Sequence, residues 1–336
     1  MTDEARPDAA EATPDTAGVK PDAASVKPRA DHEDRMWIGP AGWSYEDWKG
    51  VVYPAGAGRG FDALEYLARY FDVVEINSSF YRPPPAAWTR SWARRVEDHP
   101  RFRFTAKLWR GFTHERAAPP SAADVDAFRE GIDPLAEEDR LLAVLVQFPW
   151  SFRNGPDERR WLEALVGEFG EYPLVVEVRH ASWDEPEALA WLRERGVGMA
   201  AIDQPIHEGS LGPVDRRTGP VAYYRLHGRN YASWFAEGRP THERYDYLYG
   251  REELEPWVER IQHAGDDAAV KAIVAITNNH YQGQAAVNAL QLKAWTSGGR
   301  VEAPPPLLEA YPQALAGVAL EGPEQPDLFA REKDLR

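Results

Sequence analysis

Eight short runs rich in Val, Ile, Leu and aromatic residues recur between Trp37 and Asn278, and nearly every one precedes a stretch with helical spacing. That alternation constrains the fold more than any other feature. The runs cover 37–42, 72–78, 101–108, 141–148, 174–180, 197–203, 221–227 and a last one through Ile273–Ile276. LLAVLVQF at 141–148 is almost unbroken apolar sequence, as in parallel strands covered on both faces. Helical patterns fill 62–70, 87–98, 122–130 (with Ser121 as N-cap), 157–169, 185–195, 252–263 and the stretch from Gly283. After the sixth run, EGSLGPVDRRTGP is turn chemistry, so no helix is expected there. Eight strands and about seven helices point to an α/β chain folded as a TIM-like (β/α)8 barrel. An open doubly wound sheet is the alternative. No Gly-rich phosphate fingerprint follows the first run, so no nucleotide cofactor is expected.

The flanks differ from this core. Residues 1–34 read as a disordered acidic leader without an apolar signal-peptide segment, 35–298 as the barrel, and 299–336 as a Pro-rich extended tail. Nine acids and five bases in residues 1–35, and seven and three in 301–336, leave −7 of the total −15 on the core. An acidic core argues against broad, sequence-independent duplex binding, although a local basic mouth is compatible with it. Cysteine is absent, which excludes disulfides and thiol catalysis and fits a cytoplasmic protein. No run is long enough to span a membrane.

Several stretches carry a resemblance. VEINSSFYR (74–82), FTAKL (104–108) with Thr113-His114, QFPWSF (147–152), VEVRHASW (176–183), YYRLHGRN (223–230) and ITNNHYQGQA (276–285) occur in this order. Together they resemble the YecE-like family, domain of unknown function 72, over about residues 37–295. The resemblance implies a TIM-barrel-like fold and no particular activity, since one barrel hosts many chemistries.

Strand alternation then predicts the mouth. Inward parity gathers Glu75, Asn77, Lys107, Gln147, Glu177, Arg179, Asp203, Arg225, His227 and Asn278 at the C-terminal ends of the strands, where barrel sites lie. One reading is a closed ion-pair network, such as Glu177 with Arg225, with no further role. Otherwise, Glu75, Glu177 and His227 are candidates for acid/base catalysis. Asn77, Lys107, Gln147, Arg179, Arg225, Arg229, Asn278, Asn279 and His280 are candidates for binding. The cations suit phosphate or carboxylate, helped by backbone N–H groups at Gln282-Gly283-Gln284. A divalent metal on His114, His180, His227 or His280 with the acids lacks a supporting motif.

Trp43, Tyr81, Trp183 and Trp234 follow strands and are expected to form an aromatic rim suited to stacking on sugars or bases. The expected ligand is a small anion or a nucleic-acid fragment. The function classes left are a hydrolase or lyase for an anionic substrate and a non-catalytic anion or nucleic-acid binding module. In the tail, Gln325, Asp327, Leu328 and Phe329 within QPDLF resemble a short peptide that docks bacterial DNA-metabolism proteins on the replication sliding clamp. Pro326 stands where that peptide favours Leu.

Overall fold

The fourth run forms a strand, Leu141–Gln147 (β4), and its alternation shows the plan of the molecule. Ala143 and Leu145 join one apolar cluster, and Val144 and Val146 join another. In this computed structural model, which describes residues 30–116, 118–234 and 241–322, the first cluster fills the interior of a barrel and the second lies under the surrounding helices.

The other strands are Met36–Pro40 (β1), Val73–Ile76 (β2), Arg103–Lys107 (β3), Leu174–Glu177 (β5), Gly198–Met199 (β6), Ala201–Asp203 (β7), Val221–Leu226 (β8) and Ala272–Thr277 (β9). All their pairings are parallel. They follow the orders β2-β3-β4-β5-β6 and β7-β8-β9-β1. Two junctions join these sheets into a ring of eight positions. At the sixth position β6 pairs with β5 and β7 with β8, with Ala200 between the two short pieces and its N–H on Val176. At the other, β1 meets β2 through an Ala41–Glu75 bridge. Gly39 makes that approach possible: a Cβ there would lie 1.9 Å from the Val73 carbonyl oxygen. The fold is therefore a TIM-like barrel.

Seven helices of the outer layer lie close to their expected ranges: Ala63–Ala68, Ala86–Arg95, Ala122–Glu137, Pro156–Phe169, Pro186–Glu194, Arg251–Gly265 and Gln284–Ser297. Ser121 caps the third by accepting from the Asp124 N–H at 3.1 Å. Asp62 caps the first, accepting from Leu64 and Glu65. Residues 204–220 contain no helix, as their turn chemistry indicates.

The start of the expected extended tail is folded. Val301–Ala303 (β10) and Ala319–Glu321 (β11) pair in parallel around the helix Pro305–Ala310. Ala303, Leu307, Leu315, Val318 and Ala319 are buried there, against the helix Gln284–Ser297. That explains why the Gln284–Ser297 helix is buried on almost every face. The apolar residues, spaced too widely to stand out among prolines, outweigh the composition of the segment. Residues 1–29 of the leader and the clamp-like Gln325, Asp327, Leu328 and Phe329 lie outside the described residues.

Among the described residues, no helix is long and apolar enough to cross a membrane.

Candidate functional site

The lower interior of the barrel is apolar: Val73, Ala143, Leu145, Val175, Ile202, Val221, Ala272 and Val274 plug it. One residue pair further along each strand, the same inward parity turns polar. Thr105 Oγ1 lies 3.0 Å from the Tyr223 hydroxyl, which donates to Glu75 Oε2 at 2.8 Å. Above these sits Arg225, only 1% exposed. Its Nε and Nη2 donate to Glu75 at 3.0 and 2.7 Å, and its Nη1 donates to Glu177 at 2.9 Å. Gln147 Oε1 is 3.5 Å from the same Nη1.

The guanidinium thus lies between the two carboxylates. Glu75 is fully buried and takes three hydrogen bonds, so it is spoken for on both oxygens. Glu75 and Glu177 do not flank an open position as an acid/base pair would. A shared cation keeps both in one ion pair, the closed network that their spacing also allowed. The other oxygen of Glu177 accepts from Arg179 Nη2 at 2.8 Å and lies 3.4 Å from His227 Nε2. Burial alone would raise the Glu177 carboxyl, but Arg225, His227 and Arg179 outweigh it and hold it well below the usual carboxylate range. Asn278 Nδ2 donates to His227 Nδ1 at 3.0 Å, and His227 Nε2 lies 3.2 Å from Arg225 Nη1 and 3.4 Å from Glu177 Oε1. Burial lowers His227 to about 4 despite Glu177, so the ring is neutral at pH 7.

Lys107 stands apart from this network. It is 9% exposed; among the described residues its Nζ makes no hydrogen bond or ion pair, and it is not fully buried, so it reaches solvent at the mouth. Its contact is the face of Phe80, 4.1 Å from the ring centroid. Burial, followed by Arg225, brings its ammonium down to about 7 against the pull of Glu75 and Glu177. His114, held by Thr113 at 3.0 Å, is lowered to about 4 by burial and then by Lys107 and Arg179. Lys107 and His114 are thus both lowered by burial first and by neighbouring cations second.

The rim is aromatic, with a different membership from that expected. Trp234 stands over the floor, 6.0 Å from His227 and 6.0 Å from the Arg179 guanidinium. Tyr245 packs on Trp234, His280 on Tyr245 at 4.9 Å, and Tyr45 stacks on His280 at 4.4 Å. Tyr81 is 66% exposed, while Trp43 packs edge-on against Trp92 at 5.2 Å. Trp183 is not rim: it is fully buried, stacked on Phe152, and donates to the Phe152 carbonyl at 2.9 Å. Tyr45 and Tyr245 complete the wall. Their aromatic loops were visible in the sequence, but the contacts joining them lie far apart along the chain.

Other candidates fall outside the mouth. Ile202 faces the interior, so Asp203 faces the helix layer, where it accepts from Trp257 Nε1 at 2.8 Å and pairs with Arg229 at 2.7 Å. Arg229 is thereby committed, also to Glu253 at 3.3 Å. Asn279 has the opposite parity from Asn278 and ties the Tyr247 carbonyl to Asn288, each at 2.7 Å. Asn77 starts the short helix Ser78–Tyr81 and interacts with the Tyr45 hydroxyl. The backbone cradle expected at 282–284 is occupied, because the Gln282 N–H donates to Asp47 at 2.6 Å and the Gly283 N–H to His280 at 3.2 Å. The histidines considered for a metal are dispersed; His180, for example, caps the turn Ala181–Trp183. Among the described residues, no three His, Asp or Glu side chains converge on a possible metal position.

Residues 37–309 match the family described as Protein of unknown function DUF72. The UPF0759 protein YunF of Bacillus subtilis (strain 168) is 29% identical over 270 residues, which cover 76% of this chain and 93% of that protein. The UPF0759 protein YecE of Escherichia coli (strain K12) is 31% identical over 180 residues, covering 51% of this chain and 61% of that one. The crystal structure of a DUF72 family protein from Thermotoga maritima MSB8 superposes with a TM-score of 0.66 at 37% identity, over 77% of this chain and 97% of that chain. A parallel barrel, the matched span and these relatives agree: the chain belongs to the DUF72 family.

Proposed function

We propose that this barrel is a hydrolase or lyase acting on a small anionic substrate at its C-terminal mouth. One observation carries the reading. Glu75 and Glu177 are already matched by Arg225 and Arg179, so Lys107 is a surplus cation, its stem nearly buried and its Nζ open to the mouth with no ion-pair partner among the described residues. A phosphate or carboxylate is the chemistry that would satisfy it, with Arg179 beside it. Glu177 and His227, hydrogen-bonded to one another and adjoining Arg179, are the proton-handling pair in this reading.

The test is calorimetric titration with inorganic phosphate and with small carboxylates, comparing the protein with Lys107→Met. Binding that weakens at least about tenfold in the variant is expected, a loss of about 1.4 kcal/mol. Undiminished affinity, or no anion binding by the unaltered protein, overturns the reading. A non-catalytic anion-binding module is the second reading, favoured by the closure of Glu75. It would be established if the unaltered protein turned over no compound in a substrate screen while anion binding persisted.

A further inference from the structure

The surplus lysine has a second property besides its charge. Thr105, two residues earlier on β3, touches Tyr223 inside the barrel, so Lys107 projects along the same inward face into the mouth. Its surroundings come from four sides. Phe80 lies beneath Nζ, Arg225 and Glu75 lie toward β8 and β2, Glu177 and Arg179 lie toward β5, and His114 lies on the loop after β3. Among the described residues the contact seen for the ammonium is the Phe80 face, and Nζ is left open to the mouth. A lysine built to anchor a structure normally ends on a carboxylate or carbonyl, as Lys293 does here on Asp72 and the Tyr70 carbonyl.

Resting on the anionic-substrate reading, we propose that Lys107 is a covalent nucleophile that forms an imine with a carbonyl compound bearing an adjacent carboxylate, which makes the enzyme a lyase for 2-oxo acids or aldehyde acids. The step balances without any further reactant. The amine lone pair adds to the carbonyl carbon, and both amine protons leave with the carbonyl oxygen as one water. Once protonated, the imine accepts the electron pair of a bond from the next carbon to its substituent. That substituent leaves as an aldehyde or as carbon dioxide, the resulting enamine takes up a proton, and the water released earlier hydrolyses the imine to free Lys107. Arg179 is placed for the carboxylate, and the adjacent Glu177–His227 pair for proton transfer.

The lowered lysine supports this chemistry. At pH 7, near its value of about 7, about half of Lys107 is free amine, against about one part in 3,000 for a lysine at 10.5. The Phe80 face opposes this by favouring the ammonium, but desolvation by the mouth outweighs it.

Borohydride trapping on the full chain tests the proposal. The probes are glyoxylate and pyruvate, with acetaldehyde as the carbonyl lacking a carboxylate. The chain has seven lysines, so peptide mass spectrometry assigns every adduct. A reduced adduct on Lys107 is expected, exceeding that on any other lysine at least about tenfold at pH 7 and weaker with acetaldehyde. Lys107→Arg, which keeps the charge, should abolish it while its melting curve remains cooperative. An adduct spread evenly over Lys49, Lys271 and Lys293 refutes the imine. So does the absence of any adduct from protein that binds phosphate or carboxylate reversibly, and in that case the anionic-substrate reading stands. Neither adduct nor anion binding refutes both.

Discussion

Replacing Lys107 by methionine should stabilise this protein while removing the chemistry proposed for it. The reasoning is linkage. In the unfolded chain the lysine titrates near 10.5, and in the folded barrel at about 7. Between these values the unfolded state binds more protons, so stability rises with pH. The cost of burying the ammonium is therefore complete below pH 7 and fades as pH rises toward 10.5. A difference of about 3.5 units corresponds to an upper figure of about 5 kcal/mol at pH 6, falling to under about 1 kcal/mol at pH 10. Methionine matches the stem in length and fills the space above Phe80 without a charge. Guanidinium denaturation followed by circular dichroism at pH 6, 8 and 10 gives the comparison. The variant should have the higher midpoint at pH 6, with the advantage shrinking toward pH 10. A destabilised variant, or an advantage independent of pH, would show that Glu75 and Glu177 hold Lys107 as an ordinary structural cation.

Glu75→Gln removes the bidentate partner of a buried guanidinium and should cost about 3–5 kcal/mol of stability; an unchanged denaturation midpoint would contradict the ion-pair assignment. His227 titrates at about 4 in the fold against 6.5 when unfolded, so stability is lost as pH falls through that window. His227→Gln should flatten the acid limb of the midpoint curve by about 3 kcal/mol, and an unaltered limb would assign the acid loss elsewhere. Trp257→Phe deletes one bond to the buried Asp203 and should cost about 1–2 kcal/mol without changing anion affinity, because Asp203 faces away from the mouth. A pull-down on the replication sliding clamp should lose this protein when Leu328 and Phe329 are both changed to Ala; equal recovery would eliminate the tail as a clamp ligand.

Much of the barrel was legible because its strands bury both faces and its turns are sharply polar. Once Val73, Thr105, Val175 and Tyr223 are read as inward, a two-residue period carries Glu75, Lys107, Glu177 and Arg225 into the mouth. The same rule failed for Asp203. The sixth position consists of two short pieces that serve different neighbours, so its inward residues are Ala200 and Ile202. A strand end gives no sign of which parity it will keep. Trp183 failed for another reason. A tryptophan after a strand reads the same whether it lines a rim or fills a gap, and here the Phe148–Phe152 stack provides a buried face for it. A pairing of Glu177 with Arg225 was one of the readings open from the sequence, and the structure contains it. Nothing in the spacing of Glu75 and Glu177 revealed that a single guanidinium would stand between them.

That partnership changes how the mouth should be understood. Glu75, Glu177, Arg179 and Arg225 neutralise one another in pairs, and His227 is neutral, so the network contributes shape and little net field. Under the proposed function, the chemistry falls to the group left over. A lysine poised at about 7 is about half protonated at pH 7 when the mouth holds only solvent, and an arriving anion would draw a proton onto the remainder. The −7 carried by the core does not oppose this, because the surplus cation acts over a few ångströms inside a low-dielectric pocket, while the acidic surface is screened by salt. The same charge distribution would disfavour long polyanions, whose approach would meet the acidic exterior along its length.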